Sequence, residues 1–230
     1  MSTFDLLEKR HHVRAYLDKV PPKKDIEFAL WQAWKTTPSK NNAMAYKVVV
    51  YGPEHKEQKE KIWQLCVSNH SKSETKALLR GDATTTEKGK PNPYYEHIKF
   101  NPYLFVLHSQ VRKPNEWYKR AIKYGMHFDQ SFPERVEKIV DSVSIEAGMF
   151  IQNLTNYLLE QKIDVSYTSC FERNIKEWHK LGLKAAEYRP LILMTAGYSE
   201  TYRRDYIRLT EPKFFAKDIK PEYEEIIEWI

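Results

Sequence analysis

The stretch from residue 134 to residue 161 constrains this chain more than any other. Val140, Val143, Ala147, Phe150, Leu154 and Leu158 recur every three or four positions, the period of one helical face. Ile145, Met149 and Ile151 add apolar residues off that stripe, so the spacing predicts a long helix covered nearly all round. The cover is a sheet of the same chain, a second subunit, or both. Four segments read as strands that could supply the sheet: 46–51, 102–109, 164–169 and 189–198. The second and fourth are almost continuously apolar, as expected of strands buried on both faces.

Two further helices are expected. Residues 23–36 follow "VPP", whose prolines pre-set the entry, and carry Ile26, Leu30, Ala33 and Trp34 on one face. Residues 172–181 end at "LGL", where Gly182 suits a left-handed cap. Two stretches have no clean period. Residues 70–96 read as a long surface loop, a length usually tied to function or disorder. Residues 112–133 carry Trp117, Tyr118, Tyr124, Phe128 and Phe132, which reads either as a lid or as a helix packed by its aromatics. No Ser/Gly linker divides the chain, so residues 1–230 are expected to form a single domain.

The 37 basic and 31 acidic side chains leave a formal charge of +6, which favours anionic ligands without demanding them. An apolar content of 41% is too high for a disordered chain. Cys66 and Cys170 are too few for a disulfide framework or a zinc site, which points to an intracellular protein and to no metal. The opening "MSTFDLLEKRHH" is charged where a signal peptide would be apolar, and no apolar run reaches bilayer length. A soluble, cytoplasmic protein is therefore expected. The seven glycines include no G-x-G pair, and HExxH, CxxC and GxSxG are missing, so a phosphorylated cofactor would have to be held mainly by side chains.

"RHHVRAY" at residues 10–16 offers such side chains. Taken alone it is either a solvated basic face or an anion clamp. Three other stretches bear on the choice: "TTPSKNNAMAYKVVVYG", "EAGMFIQNLTNYLLEQKIDVSYTSCF" and "PLILMTAGYSETYRR". In this order and at these spacings, the set resembles the nitroreductase family of FMN-dependent oxidoreductases over nearly the whole chain.

The resemblance implies an α+β fold with a central, mostly antiparallel sheet flanked by helices, in an intertwined homodimer with FMN at the interface. It assigns Arg10 and His12 to the FMN phosphate or ribityl chain, with His11 and Arg14 beside them. The arginine forks suit phosphate oxygens better than a lysine would. Pro38, Ser39, Lys40 and Asn42 would lie in a loop against the flavin ring, reaching the flavin of the partner subunit. Met44, Ala45 and Tyr46 depart from the Gln, Pro and Trp common at those positions. Gly148 and Asn153 match on the long helix, and Glu146 stands where Asp is frequent. Close approach of a neighbouring backbone would explain Gly148; a tolerated helical glycine is the alternative. Ser169 and Cys170 would present a backbone N–H to the flavin. Arg203 and Arg204, with Arg208 as a further candidate, would complete the phosphate site. The segment 210–230, apolar at Tyr223, Ile226, Ile227 and Ile230, would extend onto the partner subunit or fold back on its own core.

The activity so implied is ping-pong hydride transfer from NAD(P)H through FMN to nitroaromatic, quinone-like or related acceptors, with no protein nucleophile or acid–base pair assigned as catalytic. Reductive dehalogenation or flavin modification are alternatives within the same fold. A basic nucleic-acid-binding protein without flavin is the alternative from another class, supported by the net charge and by aromatics among basic residues in "EWYKRAIKY".

Overall fold

The computed structural model describes residues 7, 10, 13, 16–39, 42, 44–70, 96–110, 116–125, 136–183, 189–199 and 223–228. In chain order the elements are α1 (Lys23–Thr36), β1 (Tyr46–Tyr51), α2 (Lys56–His70), α3 (Glu96–Phe100), β2 (Tyr103–Ser109), α4 (Glu116–Lys123), α5 (Val136–Glu160), β3 (Asp164–Thr168), α6 (Ile175–Lys180), β4 (Pro190–Gly197) and α7 (Tyr223–Ile226). The four strands form one sheet in the order β1-β2-β4-β3, and every neighbouring pair is antiparallel.

Helices cover both faces of this sheet. Tyr103, Phe105 and Leu107 of β2 point to one side, where they meet α1 and α5. Leu104 and Val106 point to the other, against α2, α3 and α6. That alternation follows from the two-residue period of a strand. It explains the unbroken apolar run of β2, all of whose residues are buried.

α5 is the hub of the first layer. Val143, Ala147, Phe150, Leu154 and Leu158 are buried as the stripe requires, and Ile151 joins them. Ile145 and Met149 are 60% and 44% exposed, so the cover this chain supplies is incomplete on one side of the helix. Gly148 lies on that open side: among the described residues nothing outside its own turn of helix comes within 4 Å of a Cβ placed there. α1 packs along α5 through Ile26, Ala29 and Ala33, with Leu30 partly buried. Trp34 is a correction to the expected inward face, since it is 56% exposed. The alanines let the two helices lie close, and the large ring is turned outward.

α2 has no counterpart in the sequence patterning. Ile62, Leu65 and Cys66 form its inward face with Trp63, but "HKEQKEK" ahead of them reads as solvated. Lys59 is buried as well, its ammonium donating to the Asn101 carbonyl at 2.7 Å. Gly182 caps the turn after α6 at φ +77°, as expected. Residues 116–123 of the aromatic stretch are helical, and Tyr124 behind them is exposed. Residues 71–95 of the long polar stretch and 210–222 of the C-terminal segment lie outside the described residues.

Candidate functional site

The loop between α1 and β1, expected to face a flavin, is fastened to α5 at three points. Asn153 donates its amide to the Thr37 hydroxyl at 3.1 Å, and Thr37 in turn donates to the Ala33 carbonyl at 2.6 Å. Glu146 accepts from the Ser39 hydroxyl at 2.8 Å. Phe150 packs on Tyr46, with ring centroids 5.4 Å apart. Residues 146, 150 and 153 share one face of a helix, so a rigid rod sets the loop's path from beginning to end.

The loop also closes on itself. The Ser39 hydroxyl accepts from the backbone N–H of Met44 at 2.8 Å while its own hydrogen is directed at Glu146. Asn42 N–H donates to the Ser39 carbonyl at 3.0 Å. Asn42 and Met44 have φ of 51° and 44°, the left-handed region that costs most side chains energy and that Asn tolerates better than Met. Gln110, just past β2, compensates with three bonds. Its amide donates to the carbonyls of Met44 and Tyr46 at 2.9 and 2.7 Å, and its backbone N–H donates to Ala45 at 3.0 Å. The departure from Gln-Pro-Trp thus coincides with a clamp from another strand. Tyr46 donates to the Met44 sulfur at 3.1 Å. Burial first, and then the nearby Glu146 charge, push its phenol far above the usual range, so it stays neutral.

The second half of the site is built around β3. The Tyr16 hydroxyl bonds Thr195 Oγ1 at 2.7 Å, and Leu17 N–H donates to the Tyr198 carbonyl at 2.8 Å. Gly197 permits this docking: a Cβ there would stand 2.7 Å from both the Tyr16 ring and Pro102. Tyr16 pairs with Ser199 near the Asp164 end of β3. Arg10, half-buried, reaches the other end, where its guanidinium lies 5.8 Å from the centre of the Tyr167 ring. The Tyr167 hydroxyl hydrogen-bonds Thr155 of α5. Burial raises the Tyr167 pKa, the Thr155 bond and the Arg10 charge pulling the other way. Just beyond β3, Ser169 is exposed and Cys170 half-buried.

Of the residues expected at the site, Arg10 is thus set beside the strand that leads to Ser169 and Cys170. Pro38, Ser39 and Asn42 lie together in the loop on α5. His11, His12, Arg14, Lys40, Arg203 and Arg204 lie outside the described residues, as does Arg208. Gln110, Thr155 and Tyr167 were not singled out in the sequence. Gln110 meets its side-chain partners 64 and 66 positions away, and Tyr167 is brought to Thr155 and Arg10; Thr155 and Tyr167 sat within a recognisable stretch, Gln110 did not.

The nitroreductase family model matches residues 7–198. No curated protein matches the chain. Among solved structures, a nitroreductase family protein from Streptococcus pneumoniae TIGR4 is 20% identical, with all of both chains covered and a TM-score of 0.57. A nitroreductase-like protein from Streptococcus mutans is 16% identical, covering 99% of this chain and 97% of that one at a TM-score of 0.61. An iodotyrosine deiodinase bound to FMN and 3-iodo-L-tyrosine is 21% identical, covering 86% and 90% at 0.56. At these identities the likeness to the solved structures is one of fold. The family match, by contrast, runs from just ahead of Arg10 through the loop on α5 and on past Gly197, and the chain therefore belongs to the nitroreductase family.

Proposed function

We propose that this chain is an FMN-dependent oxidoreductase that takes reducing equivalents from NAD(P)H and delivers them to nitroaromatic, quinone-like or related acceptors, working as a homodimer. One observation carries the reading. Two segments distant in sequence are tied to the same helix, the 37–46 loop through Glu146, Phe150 and Asn153, and the Arg10–Tyr167 pair through Thr155. These are the segments that family resemblance assigns to FMN.

The donor set fits that cofactor. Arg10 offers a fork for the phosphate, and Arg203 and Arg204 would add cations, with His11, His12 and Arg14 next to Arg10 in sequence and Lys40 next to Ser39. Asn42, exposed on a fixed loop, has an amide suited to the donors and acceptors of a flavin edge. Ser169 and Cys170 are small enough for a close backbone approach. Ser39 acts differently from a ligand donor: its one hydrogen goes to Glu146, so its part is to hold the loop. Bound FMN supplies the electron-transfer chemistry, used in turn by the nicotinamide and the acceptor. The protein binds and orients, and no side chain is assigned as acid or base.

The homodimer is supported by the open apolar side of the α1–α5 pair, where Phe28, Trp31, Ile145 and Met149 are exposed. Ile226 and Ile227 at the C-terminal end are exposed too, which favours a partner over the chain's own core as their cover. Among the described residues no helix is long and apolar enough to cross a membrane, and use of NAD(P)H goes with a cytoplasmic location.

The test is direct. The purified protein is expected to be yellow, to release FMN on denaturation, and to oxidise NADH or NADPH when a quinone or nitroaromatic is added. Turnover of an iodinated tyrosine in place of those acceptors would redirect the assignment to dehalogenation. A colourless protein that ignores FMN and binds RNA with steep salt dependence would overturn it.

A further inference from the structure

Two cysteines lie 104 positions apart in the sequence (residues 66 and 170), yet the fold packs them into one cluster. Cys66 is on the inward face of α2 with Ile62 and Leu65, fully buried. Cys170 follows β3, half-buried, and packs against the same group. The backbone ties the two elements together beside them: Glu172 N–H donates to the Leu65 carbonyl at 3.1 Å. Leu65 directly precedes Cys66, and Glu172 is two positions after Cys170. We propose that Cys66 and Cys170 form a two-thiol oxidation site, at which a low-molecular-weight disulfide converts the pair to an internal disulfide by way of a mixed disulfide on Cys170.

The order of events follows from accessibility. Cys170 is the less buried of the two residues. Burial, with the neighbouring Cys170 charge adding to it, pushes the Cys66 thiol well above its ordinary range, so Cys66 is inert towards an oxidant in solution. It can act only on a sulfur already activated next to it. In the first exchange the Cys170 thiolate attacks RSSR, forming Cys170–S–SR and releasing one RS⁻. In the second, Cys66 loses its proton, attacks the Cys170 sulfur, and displaces the second RS⁻ as the Cys66–Cys170 bond closes. The two protein thiols are oxidised by two electrons, the small disulfide is reduced by two, and both thiol protons end on the two RSH. Closing the bond fixes the segment after β3 to α2. If the flavin reading above is right, the oxidation state of the pair would change FMN retention by fixing the segment that carries Ser169, a consequence that rests on that reading.

The test uses the full chain and oxidised glutathione as the probe. Wild type is expected to lose both titratable thiols, to fall in mass by two hydrogens, and to yield a linked peptide pair containing Cys66 and Cys170, all reversed by dithiothreitol. Cys66→Ala should stop at one added glutathione on Cys170, and Cys170→Ser should stay unmodified while folded. Wild type that stops at the mixed disulfide, or keeps both thiols, would overturn the proposal. Thiol count and mass are read whether or not FMN binds, so failure here and failure of the flavin assignment are separate results.

Discussion

Glu146 is a buried carboxylate whose placement decides what Ser39 can do, and neither role is visible from residue identity alone. Hydrogen bonds to charged groups are worth more than neutral ones, so Ser39→Ala should cost about 1.5–3 kcal/mol in urea unfolding. Glu146→Gln keeps an acceptor for the same hydroxyl and should cost less. Asn153 was legible as a family match, but its purpose was not. The structure supplies it as the bond to Thr37 that starts the loop. Gln110 carried no signal, since its three partners lie in the loop before β1 and at that strand's first residue, more than sixty positions away. Lys59 was equally hidden, in a run that reads as a solvated face. Burial lowers its pKa from 10.5 to about 8, Lys56 adding slightly to the shift and Glu54 opposing it. The folded chain therefore loses this proton first. Between those two values the unfolded chain holds more protons, so the stability contributed at this site rises with pH across that window. Below it the full cost of the buried ammonium is present. Wild type measured against Lys59→Met by urea unfolding should gain stability through this range, and parallel curves would exclude the lowered pKa.

The helices and strands with regular apolar spacing were readable almost to their ends, because burial on one or both faces leaves a period in the sequence. α5, β2 and β4 belong to this group. α2 did not, for its inward face is only a turn and a half of Ile62, Leu65 and Cys66 behind a charged start. α1 was legible as a helix but misread at Trp34, where closeness to α5 selects alanine over indole on the inner side. Gly197 shows how an element end can matter more than its middle. Its missing Cβ lets Tyr16 lie across the end of β4, and that contact leads the chain back towards Arg10. Gly197→Ala should therefore destabilise the protein by about 1–3 kcal/mol, the usual cost of overpacking. It should also weaken FMN retention more than Tyr16→Phe, which removes only the bond to Thr195. Equal retention in both variants would show that the close approach does not position the N-terminal segment.

At the scale of the whole molecule, the sheet order and the two helical layers could not have been derived from strand spacing. The ordered set of stretches that identifies the family implied a mostly antiparallel sheet flanked by helices, and the order β1-β2-β4-β3 came from the structure alone. Assembly belongs to this scale as well. If the proposed homodimer covers the open side of α1 and α5, Ile145→Glu combined with Met149→Glu should leave a monomer in sedimentation or light scattering where wild type is a dimer. A wild-type monomer would remove that part of the proposal. The site itself stands on Arg10, which the fold brings to the strand that leads to Ser169 and Cys170. Titration of the apo-protein with FMN, followed by quenching of flavin fluorescence, tests this most directly. Wild type should bind one FMN per chain, and Arg10→Ala should bind it roughly tenfold or more weakly, as expected for loss of a charge-assisted phosphate contact. Identical binding by the two proteins, or no binding by either, would contradict it.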